Sequence, residues 1–141
     1  MKKLRISKSL NMCSRSRALA SDFILFCAKK LPIDGNYLIQ LVDDRQSFDI
    51  QTTAVYFIGN NKVVIYCKNR ALVDILRSIA HEMVHMMQDE QGMIDGPVQD
   101  AGGFHEDQAN AKAGELIKLY AKSSPSRKKI YESIKRSGKV L

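Results

Sequence analysis

The sequence predicts an α+β domain: an N-terminal helix, a three-stranded, mainly antiparallel sheet, a long helix carrying H-E-x-x-H, and two C-terminal helices. Three observations carry that prediction. Leu72, Ile75, Leu76, Ile79, Met83 and Met86 recur at helical spacing and form one apolar stripe. Residues 52–58 and 62–67 are rich in β-branched and aromatic types, and Gly59-Asn60-Asn61 between them has the chemistry of a hairpin turn. Beyond a glycine-rich stretch, residues 104–122 return to helical spacing, with Ala109, Ala113, Leu116, Ile117 and Tyr120 on one arc.

Taken in order, residues 1–13 are expected to be loosely ordered. Ser14 or Ser16 offers a cap for a helix reaching Leu31, with Leu19, Phe23, Phe26 and Cys27 on one face and Pro32 beyond its end. Asp34-Gly35-Asn36 is a turn, and Tyr37 to Val42 reads as a strand. The hairpin follows, and Asn69 stands ready to cap the long helix, which runs to Gln91 and stops at Gly92. A loop containing Gly96, Pro97, Gly102 and Gly103 leads to the second long helix. Pro125 opens a short basic helix to Arg136, and residues 137–141 are read as a loose basic end. With 141 residues and no internal repeat, the expectation is one domain over 1–141.

Composition narrows the function classes. Hydrophobic residues make up 45% and charged residues 26%, ordinary values for a globular chain. No apolar run approaches the roughly 18 residues of a membrane span, so no membrane partner is expected. The basic start continues through Arg15 and Arg17 without a cleavage-like end, unlike a signal peptide. Cys13, Cys27 and Cys67 form neither a C-x-x-C pair nor a disulfide set, which favours a reducing cytoplasm, and they read as small buried hydrophobes or inert thiols. The net charge of +7 gathers at the two ends, while Asp89 to Asp107 is acidic. Basic ends suit a weak nucleic-acid contact, although no aromatic residues are interleaved there for base stacking.

The chemistry concentrates at His81, Glu82 and His85. On a helix, residues four apart share a face, so both imidazoles can reach one metal ion. Zn²⁺ takes imidazole nitrogen readily, and a catalytic zinc keeps three protein ligands and one open position. Glu82 stands where a general base for water would be needed. The imidazoles lie opposite the apolar stripe, with Ser78 and Gln88 close by, so the helix packs by one side and presents them on the other. Met83, Met86 and Met87 read as core filling. For the third ligand, His105 and Glu106 compete. Glu106 falls inside the apolar arc of its helix, where a carboxylate is costly without a cation, while His105 sits at the edge. That argues for Glu106. Asn110, one turn on, is placed to hydrogen-bond a ligating imidazole.

This arrangement resembles the zincin metallopeptidases, and more narrowly the gluzincins, whose ligands are H-E-x-x-H plus a downstream Glu. The resemblance implies a minimal zincin-like peptidase domain with a Zn²⁺ cofactor held by His81, His85 and Glu106, and Glu82 as the catalytic base. It implies a protein or peptide substrate. Where thermolysin-type members have an Asp four residues after the third ligand, this chain has Asn110. Glu106-Asp107-Gln108-Ala109-Asn110 is similar to the E-x-x-A-N segment of small metallopeptidases carried by phages and mobile elements. In that family the strand before the hairpin turn, here Thr52 to Ile58, is the sheet edge that holds substrate. The oxyanion is often stabilised there by a His or Tyr, for which Tyr120 and Tyr131 are the candidates. The likeness covers residues 50–120. A rival in the same clan is the SprT-like proteases, which act near DNA and use a His as third ligand. Gly102-Gly103-Phe104-His105 is similar to their glycine-aromatic-His segment, but the aromatic residue usual after that His is missing. A different class of reading is a zincin-shaped binding or structural protein with a weak site, against which the intact Glu82 speaks.

Overall fold

The computed structural model describes residues 2–48, 50, 52–94 and 103–131. The chain runs β1 (Lys2–Ile6), α1 (Ser14–Lys30), β2 (Tyr37–Val42), β3 (Ala54–Phe57), β4 (Lys62–Tyr66), α2 (Leu72–Glu90), α3 (Phe104–Lys122) and α4 (Pro125–Lys128). A 3₁₀ turn at Lys129–Tyr131 follows α4. The expected continuation of that helix to Arg136, the loose end at 137–141 and the loop glycines Gly96 and Gly102 lie outside the described residues.

The sheet corrects the sequence expectation. Among the described residues it has four strands in the order β1-β2-β4-β3, and of their pairings only the β3–β4 hairpin is antiparallel; β1–β2 and β2–β4 are parallel. Turn chemistry at Gly59 and Asn61, both at positive φ, specifies the hairpin and nothing else. The position of β2 is decided by burial: Tyr37, Ile39, Leu41 and Val42 are all buried, as in a strand with neighbours on both sides. Residues 1–13 are likewise not loose throughout. Lys2, Leu4 and Ile6 alternate with Lys3 and Arg5, and Leu4 and Ile6 pack against the core. The charges belong to an edge strand, where they discourage pairing with another chain.

Helix bounds follow the apolar periodicity, but the caps do not follow the polar residues. The N-cap of α1 is Cys13 rather than a serine, and that of α2 is Ala71. Asn69 takes a positive φ in the approach to α2 instead of capping it. Gly92, also at positive φ, ends α2 as expected.

The main core lies between the helices and one face of the sheet, with Ile39, Leu41, Val63 and Ile65 meeting Phe23, Ile75, Ile79 and Met83. The other face carries Val42 and Val64, covered by Phe48 and Ile50 from the β2–β3 connection. Helix α2 sits at the centre, touching α1, α3, β3 and β4. Both its ends are tied to the sheet. Asp89 accepts hydrogen bonds from the Tyr56 hydroxyl and from Gly59 N–H (2.9 Å). Glu90 accepts from Asp34 N–H and Gly35 N–H at 2.8 and 3.1 Å. A Cβ on Gly35 would lie 3.0 Å from the Glu90 carboxylate, so only glycine fits there without displacement. At the other end Arg70 Nη1 donates to Tyr66 O at 2.8 Å. Strand β3 therefore runs alongside α2 in the same sense, from Arg70 towards Asp89. Among the described residues, no helix is long and apolar enough to cross a membrane.

Candidate metal centre

The site begins with two turns of α2. His81 and His85 stand one turn apart with ring centroids 4.9 Å from each other and planes at 80°. Both lie over the first turn of α3, which approaches closely because Ala109 and Ala113, buried to 0% and 1% exposure, present almost no side chain at the contact. That approach brings Glu106 between the rings. Its Oε1 lies 3.1 Å from His81 Nε2 and its Oε2 lies 2.7 Å from His85 Nε2. Three ligand atoms, one from each residue, fall within 4.8 Å of one another, so His81, His85 and Glu106 can hold a metal ion.

The hydrogen-bond network orients these donors. Gln88 is fully buried, and its Nε2 donates to His105 O at 3.1 Å and to Gln108 Oε1 at 2.8 Å. With both amide protons used, its Oε1 must face His85 Nδ1 at 2.8 Å and accept a proton from it. The other ring nitrogen, Nε2, then directs a lone pair at a carboxylate oxygen 2.7 Å away. Two lone-pair atoms at that separation require a positive charge between them, either a proton or a metal ion. The donor set fits a divalent cation for that reason: two imidazole nitrogens and one carboxylate, already oriented toward a common point. Asn110 hydrogen-bonds the His81 ring, the position expected for it. Burial holds His81 below the usual histidine value despite the attraction of Glu106, which disfavours the protonated form that could not bind a metal.

Glu82 lines the same cleft as this trio but is buried, 9% exposed. Burial, aided by the negative charge of Glu106, pushes its carboxyl up to about 8, against the pull of a hydrogen bond from Tyr56 N–H. That bond joins the general-base candidate to the sheet edge. Tyr66 N–H donates across the hairpin to Thr53 O at 2.8 Å, so alternate residues of β3 face β4, and the backbone of Ala54 and Tyr56 faces outward. Beside that edge runs an open cleft of ≈ 960 Å³. Strand β3 forms one wall, α2 from Asp74 to His85 the floor, and Glu106 with Asn110 the far side.

The rival third ligand and the oxyanion candidates fall outside this constellation. His105, the rival third ligand, is outside the trio; its carbonyl anchors Gln88, its ring packs on Phe104, and its buried Nδ1 has no hydrogen-bond partner among the described residues. Tyr120 is fully buried against α1, with its hydroxyl on Asp22, far from an oxyanion position. Tyr131 is 49% exposed and does not line the cleft. Of the thiols, Cys27 and Cys67 are buried and inert, burial raising the latter to about 12, but Cys13 is exposed. Gln88 was legible only as a polar residue near the imidazoles. An amide three residues after the second His, at a buried position, was the available signal. Arg70, at the opposite end of the cleft, carried no sequence signal at all.

No family model matches the chain, and no curated protein matches it. Among solved structures, the chain is similar to the crystal structure of a Wss1 mutant from Saccharomyces cerevisiae, at 12% identity and a TM-score of 0.49. The likeness covers 84% of this chain and 87% of that one.

Proposed function

We propose that the chain is a zinc-dependent endopeptidase of the zincin type. The observation that carries the reading is the juxtaposition of three parts within one cleft. These are the His81–His85–Glu106 trio, the buried carboxylate of Glu82, and a strand edge with outward backbone. When bound at the trio, zinc supplies Lewis acidity to a carbonyl group and to water. The residues then divide the remaining work. An extended peptide adds to the edge of β3, pairing with the outward backbone of Ala54 and the outward carbonyl of Tyr56, whose N–H stays with Glu82, and its carbonyl is presented over α2. Gln88 and Asn110 hold the two imidazoles in orientation, so no rotation is required when substrate arrives. Glu82 takes a proton from the attacking water at a carboxylate oxygen and returns it to the leaving amine nitrogen. A carboxylate lining the cleft has the lone pair for the first half of that exchange and, once protonated, the proton for the second.

The test is Glu82→Gln in the zinc-loaded chain, assayed on an unfolded protein substrate. Zinc content stays at that of the parent, while cleavage falls by about 10²–10⁴-fold, the usual worth of a general acid–base. Unchanged cleavage would remove Glu82 from its role. Absence of cleavage by the zinc-loaded parent would leave a metal-binding protein instead.

A further inference from the structure

Arg70 lies where the β4–α2 connection enters the cleft, and its interactions are unbalanced. Nη1 donates to Tyr66 O at 2.8 Å, and Nη2 donates to Asp74 O at 3.1 Å and to Ser78 Oγ at 2.7 Å. All three acceptors are neutral. The neighbouring carboxylate, Asp74, is engaged by Arg77 at 3.1 Å; Arg70 bonds its backbone carbonyl and feels its charge only at a distance. Among the described residues no carboxylate pairs with Arg70, although the side chain is half-buried and lines the cleft. A guanidinium has five N–H donors, so two remain beyond the three bonds named. Burial has also cost this group part of its hydration, pulling it below the ordinary arginine value. A partly dehydrated fixed cation with spare donors in a substrate cleft favours an anionic group of matching geometry.

We propose that Arg70 is a subsite for a carboxylate of the bound peptide, one or two residues to the C-terminal side of the cleaved bond. The position follows from the frame of β3 and α2. The guanidinium is held at Ser78, four residues before Glu82 and so about 6 Å away along the helix axis. An extended peptide advances about 3.3 Å per residue, which spaces the subsite one or two residues from the bond. Strand β3 runs from the Arg70 end toward Glu82, so a peptide pairing antiparallel to it runs the opposite way. Its C-terminal portion then lies beside Arg70. The carboxylate is either an Asp or Glu side chain or the peptide's own terminus. This inference rests on the peptidase reading for the word "cleaved" but not for the binding of the anion.

The experiment uses the zinc-loaded full chain and three fluorogenic peptides of otherwise neutral sequence. Two are amidated and carry Glu or Gln at that position; the third carries Gln and ends there with a free carboxylate. The expected result is kcat/KM about tenfold higher for a carboxylate-bearing peptide than for the amidated Gln peptide, an advantage that shrinks as salt is raised. Which of the two anionic peptides gains identifies the source. Arg70→Gln brings all three within about twofold of one another, and Arg70→Lys keeps part of the advantage, whereas a merely structural Arg70 would slow all three alike. If Arg70→Gln does not fold, the parent's ratio, its salt dependence and Arg70→Lys decide. The same peptides, labelled and followed by fluorescence anisotropy, read the subsite without bond cleavage. Tighter binding of an anionic peptide with no cleavage overturns the peptidase reading and keeps the subsite. Equal cleavage and equal binding of all three overturn the subsite.

Discussion

Two polar clusters join helices in this molecule, and they are built to opposite ends. At the α1–α3–α4 junction, Asp22 accepts a hydrogen bond from Tyr120 Oη at 2.6 Å and from Arg127 Nε and Nη2 at 2.8 and 3.1 Å. Arg127 also lies 4.8 Å above the Tyr120 ring. Every charge there has an opposite charge or a donor, and although burial opposes ionisation, Arg127 and Tyr120 hold Asp22 below the usual carboxylate range. At the α2–α3 contact, Glu106 faces two imidazole nitrogens and Glu82 has a single backbone N–H. One cluster is complete as it stands; the other is short of positive charge by construction. Each uses a carboxylate from one helix to hold its neighbour, yet only the incomplete one leaves room for a cation and for chemistry. The comparison teaches that the deficit of charge, rather than the presence of polar residues, distinguishes a site from a strut.

The sharpest way to break the comparison is to remove the shared acceptor. Glu106→Ala is expected to weaken zinc binding by more than about 100-fold, measured by competition with a chromogenic chelator, while His105→Ala retains the parent's affinity. Equal losses would return His105 to the ligand set.

A second prediction follows from the burial of Glu82 in the metal-free chain. Its carboxyl, raised to about 8, keeps a proton in the folded state that the unfolded chain releases near 4.5. Stability therefore falls as pH rises between those values. In the chelator-treated protein, Glu82→Gln should remove that slope. It should raise stability by a few kcal/mol, of order 2–4, at pH 8.5 and have little effect at pH 4, read by urea denaturation. Parallel pH profiles for parent and variant would contradict the burial argument.

Gln88 tests the orientation of the trio without touching a ligand. Gln88→Leu leaves His85 Nδ1 without its acceptor, and a loss of about 10–100-fold in zinc affinity is expected, again by chelator competition. An unaltered affinity would make the amide a helix tie alone. The smallest effect belongs to the complete cluster. Arg127→Met should cost about 1 kcal/mol of unfolding free energy, since both partners are substantially exposed, and should leave zinc affinity where it was. A change in metal binding would show that the two clusters are coupled through α3.

Much of this was legible beforehand because it is local. The spans of α1, α2 and α3 follow from apolar spacing, and the hairpin follows from Gly59 and Asn61. The edge strand beside the imidazoles came from resemblance and stands in the structure as β3. What failed was non-local. A short run such as Lys2–Ile6 does not say whether another strand will lie beside it, and the pairing of β2 with β4 rather than with β3 is settled by burial on two sides. The oxyanion candidates failed for the same reason, because Tyr120 is committed to α1, a contact between residues 98 positions apart.

The sequence by itself determined which residues form α2 and α3 and that His81 and His85 share a face, because one helical turn sets that geometry without help from the rest of the chain. The apolar arc already favoured Glu106 over its neighbour His105; only the tertiary structure brought that carboxylate against those imidazoles. Neighbours on a helix point about 100° apart, and the rotation of α3 against α2 is set by the packing of Ala109 and Ala113. The same holds for Arg70, whose place in the cleft depends on where β4 ends relative to α2. Periodicity is written along the chain, whereas the mutual rotation of packed elements is a property of the surfaces they bury.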